Sequence, residues 1–176
     1  VIALEGFVAD ISEQKRMEMQ LQEALKKEEQ ALEGIVGAIS RIVEKRDPYT
    51  AGHQRRVALL SCAIATEMGK PAEFVRGLHF AAIIHDIGKI YVPSEILSRP
   101  SVLNDLEYGI VRTHTTVGYE CLKALKFPWP IADVVLQHHE RMDGSGYPGG
   151  LKGNEIIPEA RIVAVADTVE SIASHR

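Results

Sequence analysis

His53, His85-Asp86, His114, His138-His139 and Asp167 are imidazole and carboxylate donors, far apart in the chain yet ordered like the ligands of a binuclear metal centre. Such donors suit borderline to hard divalent ions such as iron, manganese or zinc. Cys62 and Cys121 lie among aliphatic or small residues and form neither a disulfide framework nor a thiolate cage, so the set reads as catalytic rather than structural. One histidine on an apolar face is ordinarily a satisfied core residue. Seven donors are harder to place that way, since each polar group buried without a partner costs about 1–3 kcal/mol. Two ions roughly 3.5–4 Å apart would share a water, lower its pKa to give a reactive hydroxide, and neutralise a phosphodiester, with no separate general base required.

His85 and Asp86 are neighbours, about 100° apart on an ideal helix, so both face one ion only where a helix end turns inward. Gly88 is expected to supply that ending. Leading into it, Phe74, Leu78, Ala81 and His85 recur at helical steps, while Val57, Leu60, Ala63 and Ile64 form an apolar face closed by Gly69. Further helices are expected around Asp105 to Leu125, Ile131 to Arg141 and Pro158 to Ser174. Breaks fall at Phe127-Pro128-Trp129-Pro130 and from Gly144 to Gly153. The expected architecture is all-α, a helical bundle preceded by a long N-terminal helix. The run from Asp143 to Gly150 is a loop by its glycines alone, and read without further information it is a flexible connector.

Upstream, Val1 to Ile11 reads as a strand remnant, with Asp10 and Glu13 spaced as a capping box. A chain that begins in mid-strand is expected to be an excised piece. Residues 12–40 form a linker helix without Gly or Pro until Gly34. Leu21, Leu25, Leu32, Ile35, Ile39 and Ile42 step along it by fours and threes, with Glu28 in the one unfavourable slot. That stripe fits a parallel dimeric coiled coil or one side of a helix lying on its own domain. The charged residues between favour the homodimer.

The 176 residues, 45% of them apolar, allow one domain with a substantial core plus extra material. Apolar clusters such as Phe80–Ile84 and Ile162–Ala166 fall far short of the roughly 18 residues that span a bilayer, and no signal peptide opens the chain. A cytosolic protein without membrane contact is expected. A net charge of −4 argues against a nucleic-acid polymer as partner and leaves nucleotides open.

Taken together, Gly52-His53 through Arg56-Val57, His85-Asp86-Ile87-Gly88-Lys89-Ile90, His114, His138-His139-Glu140-Arg141, Asp143 to Pro148 and Ala160 to Asp167 resemble, in order, the HD-GYP branch of the HD phosphohydrolases. The resemblance covers about Ile42 to Arg176, giving a domain over 41–176 that is expected to be truncated at its C-terminus. It implies a phosphodiesterase that cuts cyclic di-GMP to pGpG and onward to GMP. His53, His85, Asp86 and Asp167 are implied to hold one metal, and His114, His138 and His139 a second, with Asp86 as the bridge. Iron and manganese are the implied ions. Tyr49 stands where some members carry a glutamate for a third metal, which favours two.

Lys89 is matched to a lysine that binds phosphate or orients the hydroxide, against the plainer reading of a helix-end lysine favoured by the dipole. Tyr147 is implied either to stack on a guanine or to hold the loop closed, and Arg176 to contact phosphate. Glu140 and Asp143 are read as partners that fix imidazoles, paired with Arg141, or as ordinary surface residues. His79 and His175 are read as structural. Val1 to Ile11 resembles the last strand and exit of a PAS sensor domain, which would give the linker a signal to carry. Two other readings stand beside the enzyme: a non-catalytic module binding the nucleotide or a GGDEF-domain protein through the Asp143–Pro148 loop, and a phosphodiesterase for another cyclic dinucleotide such as cyclic GMP-AMP.

Overall fold

The computed structural model describes residues 11–46, 52–99 and 101–174. Among them there are helices and no strand, as the periodicity predicts. α1 runs over Ser12–Glu44, α2 over His53–Glu67, α3 over Ala72–Ile84, α4 over Ser94–Leu97, α5 over Asp105–Arg112, α6 over His114–Leu122, α7 over Ile131–Gln137 and α8 over Pro158–Ala173. A 3-10 turn, Ile87–Tyr91, follows α3, and a single antiparallel bridge between Asp143 and Lys152 closes the glycine loop.

Two compact units divide the chain at Ile35 and Val36. In the first, α1 is solvated, with Leu21 and Leu25 more than half exposed. In the second, α2 packs against α3 and α8, α6 against α7 and the 3-10 turn, and α7 against α3 and α8. Val57, Ala58, Leu78, Ala82, Val135 and Val163 are fully enclosed. Burying side chains of the Val and Leu class stabilises by about 1.5–3 kcal/mol each. At the end of α1 the face turned into this core is Val36, Ser40 and Val43, while Ile42 of the sequence stripe is 55% exposed. Of the stripe residues in this second unit, Ile39 lies beside Ser40 and Val43 against α2 and α3, while Ile42 points away.

Two local outcomes differ from expectation, and both bear on the donors. The single helix expected from Asp105 to Leu125 turns a corner at Thr113, which ends α5 and caps α6. Four side chains around it bond to carbonyls three residues back, Thr113 to Ile110, His114 to Val111, Thr115 to Arg112 and Thr116 to Thr113. Such bonds compete with the regular ladder and bend it. Likewise α3 stops at Ile84, ahead of Gly88. The role of Gly88 is close approach, since a Cβ there would sit 1.9 Å from the carbonyl oxygen of His114. Its missing side chain lets the 3-10 turn lie directly on α6.

Candidate metal centre

His85, His114 and His138 all stand at helix ends or corners, where the final carbonyls lack intrahelical partners. Each imidazole fills one. His85 Nδ1 lies 2.8 Å from the Ala82 oxygen, His114 Nδ1 2.7 Å from that of Val111, and His138 Nδ1 2.8 Å from that of Val135. A carbonyl only accepts, so Nδ1 carries the proton, and in the neutral ring this leaves Nε2 as the lone pair. Those lone pairs converge. His114 Nε2 and His138 Nε2 are 3.3 Å apart, and two unprotonated acceptors at that distance cannot bond each other, whereas a cation satisfies both.

Asp86 lies between two donor sets. Its Oδ2 is 3.4 Å from His85 Nε2 and its Oδ1 is 3.4 Å from His114 Nε2. Ligand atoms of His53, His85 and Asp86 fall within 4.8 Å of one another, as do those of Asp86, His114, His138 and His139. Asp167 extends the first set, with Oδ1 3.0 Å from His53 Nε2 and 4.0 Å from His85 Nε2. The donor chemistry, the convergence and the shared carboxylate fit a pair of divalent ions. His53, His85, Asp86, His114 and His138 are almost wholly buried.

Burial outweighs other influences for three of the imidazoles. It lowers His114, lowers His138 strongly with help from its neighbouring rings, and lowers His139 to about 3. Burial pushes His53 down, but the hydrogen bonds it donates to the Asp167 and Glu170 carboxylates overcome this and move it up. For Asp86, burial pushes the carboxyl up, but Lys89 and the surrounding imidazoles hold it well below the usual range. Asp167 reaches about 2, the bond to His53 overriding burial.

These shifts set how the metal-free protein responds to acid. A group whose folded pKa is depressed gives stability that is full above its unfolded pKa and is lost as the pH falls. For His139, about 6.5 unfolded and about 3 folded, the loss at pH 5 is about 2 kcal/mol. His114 and His138 act in the same direction, and His53 in the opposite one. The melting temperature of the metal-free chain is expected to fall by about 5 °C or more between pH 7 and pH 5. A flat or rising melting curve series would contradict this balance.

Glu170 belongs to the centre, although sequence reasoning passed over it. It bonds His53 Nδ1, accepts from Arg56 Nε at 2.6 Å and from Ser174 Oγ at 2.5 Å, and burial is outweighed by these partners so that its pKa falls to about 2. Its spacing from Asp167, three residues along one helix, was the available signal. Glu140 takes a different role from the one expected. Its carboxylate accepts the amides of Gly149 at 2.6 Å and Leu151 at 3.0 Å, tying down the glycine loop rather than an imidazole. Asp143 bonds Ser145 within that loop. Gly146 lets the loop fold onto its own entry, where a Cβ would lie 2.4 Å from the Arg141 nitrogen.

A cavity of about 430 Å³ opens beside the donors, with Asp86, Lys89, His139, Arg141, Tyr147 and Asp167 in its wall. Lys89 Nζ is 2.6 Å from Asp86 Oδ2. His79 packs edge-on against Phe80, away from the cavity. Tyr49, His175 and Arg176 lie outside the described residues, as does the stretch from Val1 to Asp10 on which the sensor resemblance rests.

An all-helical scaffold carrying a His-Asp pair among clustered groups that could hold a metal defines a class. The model of the HD domain family matches residues 37–176, and the chain belongs to that family. It is 44% identical over 144 residues to a cyclic di-GMP phosphodiesterase of Thermotoga maritima, covering 81% of this chain and 39% of that protein. It is 37% identical over 145 residues to a 3'3'-cGAMP-specific phosphodiesterase of Vibrio cholerae, covering 82% and 32%. The chain thus spans only about a third to two fifths of these relatives. Among solved structures, the HD domain of the L. monocytogenes phosphodiesterase PgpH in complex with cyclic-di-AMP matches 79% of this chain and 73% of that one at a TM-score of 0.60 and 23% identity, a likeness of fold. No helix among the described residues is long and apolar enough to cross a membrane.

Proposed function

We propose that this chain is a cytoplasmic, metal-dependent phosphodiesterase that hydrolyses cyclic di-GMP to pGpG, with GMP as the product if a second cut follows. The observation that carries the reading is Asp86, whose two oxygens face separate donor sets with bare Nε2 atoms turned inward. His53, His85, Asp86 and Asp167 would hold one ion, and Asp86, His114, His138 and His139 the other, two rather than three, with iron or manganese the best match to such donors. When bound, the ions supply a water of lowered pKa and offset phosphate charge.

The protein's own groups do the rest. Asp86 spans both donor sets and fixes their separation. Lys89, 14% exposed and ion-paired with Asp86, has its ammonium at the cavity wall, where a phosphate oxygen can take it over. Tyr147 lines the same cavity, and Arg176 is assigned to a substrate phosphate. Lys89→Met is expected to lower kcat about 100-fold, the scale of one lost transition-state contact, with metal content unchanged. Unchanged kcat would remove Lys89 from catalysis.

Substrate choice is tested by chromatographic assay of metal-loaded protein with cyclic di-GMP, cyclic GMP-AMP and cyclic di-AMP separately. Preferred conversion of cyclic di-GMP to pGpG is expected. The 37% identity to a 3'3'-cGAMP-specific enzyme favours cyclic GMP-AMP as the second reading, and faster turnover of that compound would establish it. Retention of seven converging donors argues against a binding-only module. The exposed stripe of Leu21, Leu25, Ile35 and Ile42 supports a homodimer through residues 12–40, relaying the state of an upstream PAS-like sensor to the HD-GYP domain. Asp143, Ser145 and Pro148 are exposed on the glycine loop, the surface for a GGDEF-domain partner.

A further inference from the structure

Four of the five candidate imidazole ligands have Nδ1 tied by a hydrogen bond, His53 to Glu170 and His85, His114 and His138 to backbone carbonyls. His139 is the exception. Among the described residues no hydrogen bond reaches either nitrogen of its ring. An imidazole with a free torsion is a poor ligand, because the cost of orienting it falls on metal binding. Yet one of its nitrogens lies within 4.8 Å of the ligand atoms of Asp86, His114 and His138. The His138 and His114 rings lie against it with centroids 4.1 and 5.1 Å away, but they are candidate ligands themselves, so the remaining support must come from outside the donor set.

The Tyr147 ring stacks on that of His139, with centroids 4.8 Å apart and planes 28° from parallel. The Tyr147 amide also donates to the His139 carbonyl at 3.2 Å, hooking the loop to the residue it covers. Arg112, at the end of α5, places its guanidinium carbon 4.5 Å from the tyrosine centroid. Both a cation over an aromatic ring and a stacked aromatic pair are attractive, so Arg112 holds Tyr147 and Tyr147 holds His139. Arg112 is also two residues before His114, so the corner at Thr113 that aims one ligand aims the support of another.

We propose that Tyr147, backed by Arg112, is the positioning residue for the His139 imidazole, filling the place that a hydrogen bond to Nδ1 holds in the other four histidines. Its ring is then engaged within the protein, and a nucleobase meets the tyrosine at its edge rather than on a stacking face. This inference rests on the assignment of His139 as a ligand. It goes beyond that assignment by giving the glycine loop a role in metal affinity and by bringing in Arg112.

Titration of the metal-free full chain with Mn2+, followed by calorimetry, is the test, alongside KM for cyclic di-GMP at saturating Mn2+. Tyr147→Phe keeps the stack and is expected to bind both ions like the parent. Tyr147→Leu is expected to weaken one Mn2+ site about 10–100-fold and leave the other unchanged, the usual cost of losing a ligand's supporting partner. Arg112→Met is expected to weaken the same site about 2–5-fold, equivalent to the cation–ring contact, and it guards against a Tyr147→Leu chain that fails to fold. Both Mn2+ sites unchanged in Tyr147→Leu and Arg112→Met, with KM raised in Tyr147→Leu, would overturn the proposal in favour of a base-stacking platform. Because Mn2+ affinity is read without turnover, a chain inactive on cyclic di-GMP would still give the answer, and one binding no Mn2+ would end both readings.

Discussion

Asp86→Ala is expected to remove both metals from the protein and to lower phosphodiester hydrolysis by at least about 1000-fold, since the water that the ions would activate to a pKa of about 7 is then left unactivated. No other single substitution at the centre should do as much. Among the described residues Asp86 is the one member common to both donor sets, whereas removing His53 or His139 leaves the opposite set whole. The side chain is 3% exposed and surrounded by Lys89, His85 and His114, so its loss also strands a buried lysine. Asp86→Asn separates these effects: it keeps the shape, discards the charge, and is expected to retain the fold while binding metal far more weakly. Metal content by mass spectrometry and initial rates check both variants. An Asp86→Ala protein that keeps two ions would refute the bridge.

Gly88→Ala is expected to destabilise the domain by about 3 kcal/mol or more and to reduce metal content, although the added methyl touches no ligand atom. The new Cβ would fall 1.9 Å from the His114 carbonyl oxygen and 2.7 Å from the Gly118 nitrogen, both backbone atoms that cannot rotate away. The 3-10 turn must then lift off α6, carrying Asp86 and Lys89 from His114. Gly118→Ala is the informative control. Its Cβ would meet chiefly the Val135 side chain at 2.6 Å, which can adjust, so a smaller loss is expected. Urea unfolding midpoints of the two variants compare these costs, and equal midpoints would show that the close approach is not what sets the geometry.

The candidate ligands were legible because histidine and aspartate are costly to bury without purpose, and their order matched a known pattern. The all-helical class was legible from apolar steps of three and four residues, as at Phe74, Leu78 and Ala81. The support of those ligands was less visible. Glu170 carried a weak signal in its spacing from Asp167, but Arg112 carried none, since its contact with Tyr147 exists only once the chain has turned at Thr113. That corner was foreshadowed by Thr113, Thr115 and Thr116, whose hydroxyls compete for helix carbonyls. In α1 one stripe allowed either a dimer or a helix lying on its own domain, and periodicity could not choose between them. At the C-terminal end of the helix Val36, Ser40 and Val43 are buried and Ile42 is exposed, which the stripe did not foretell.

The central claim is the binuclear centre, and metal content per chain tests it most directly. Protein purified without oxygen and analysed by inductively coupled plasma mass spectrometry is predicted to hold about two divalent ions per chain, falling to none in Asp86→Ala. A chain that binds no ion, even after reconstitution with iron or manganese, would contradict the account. The converging imidazoles would then need another explanation.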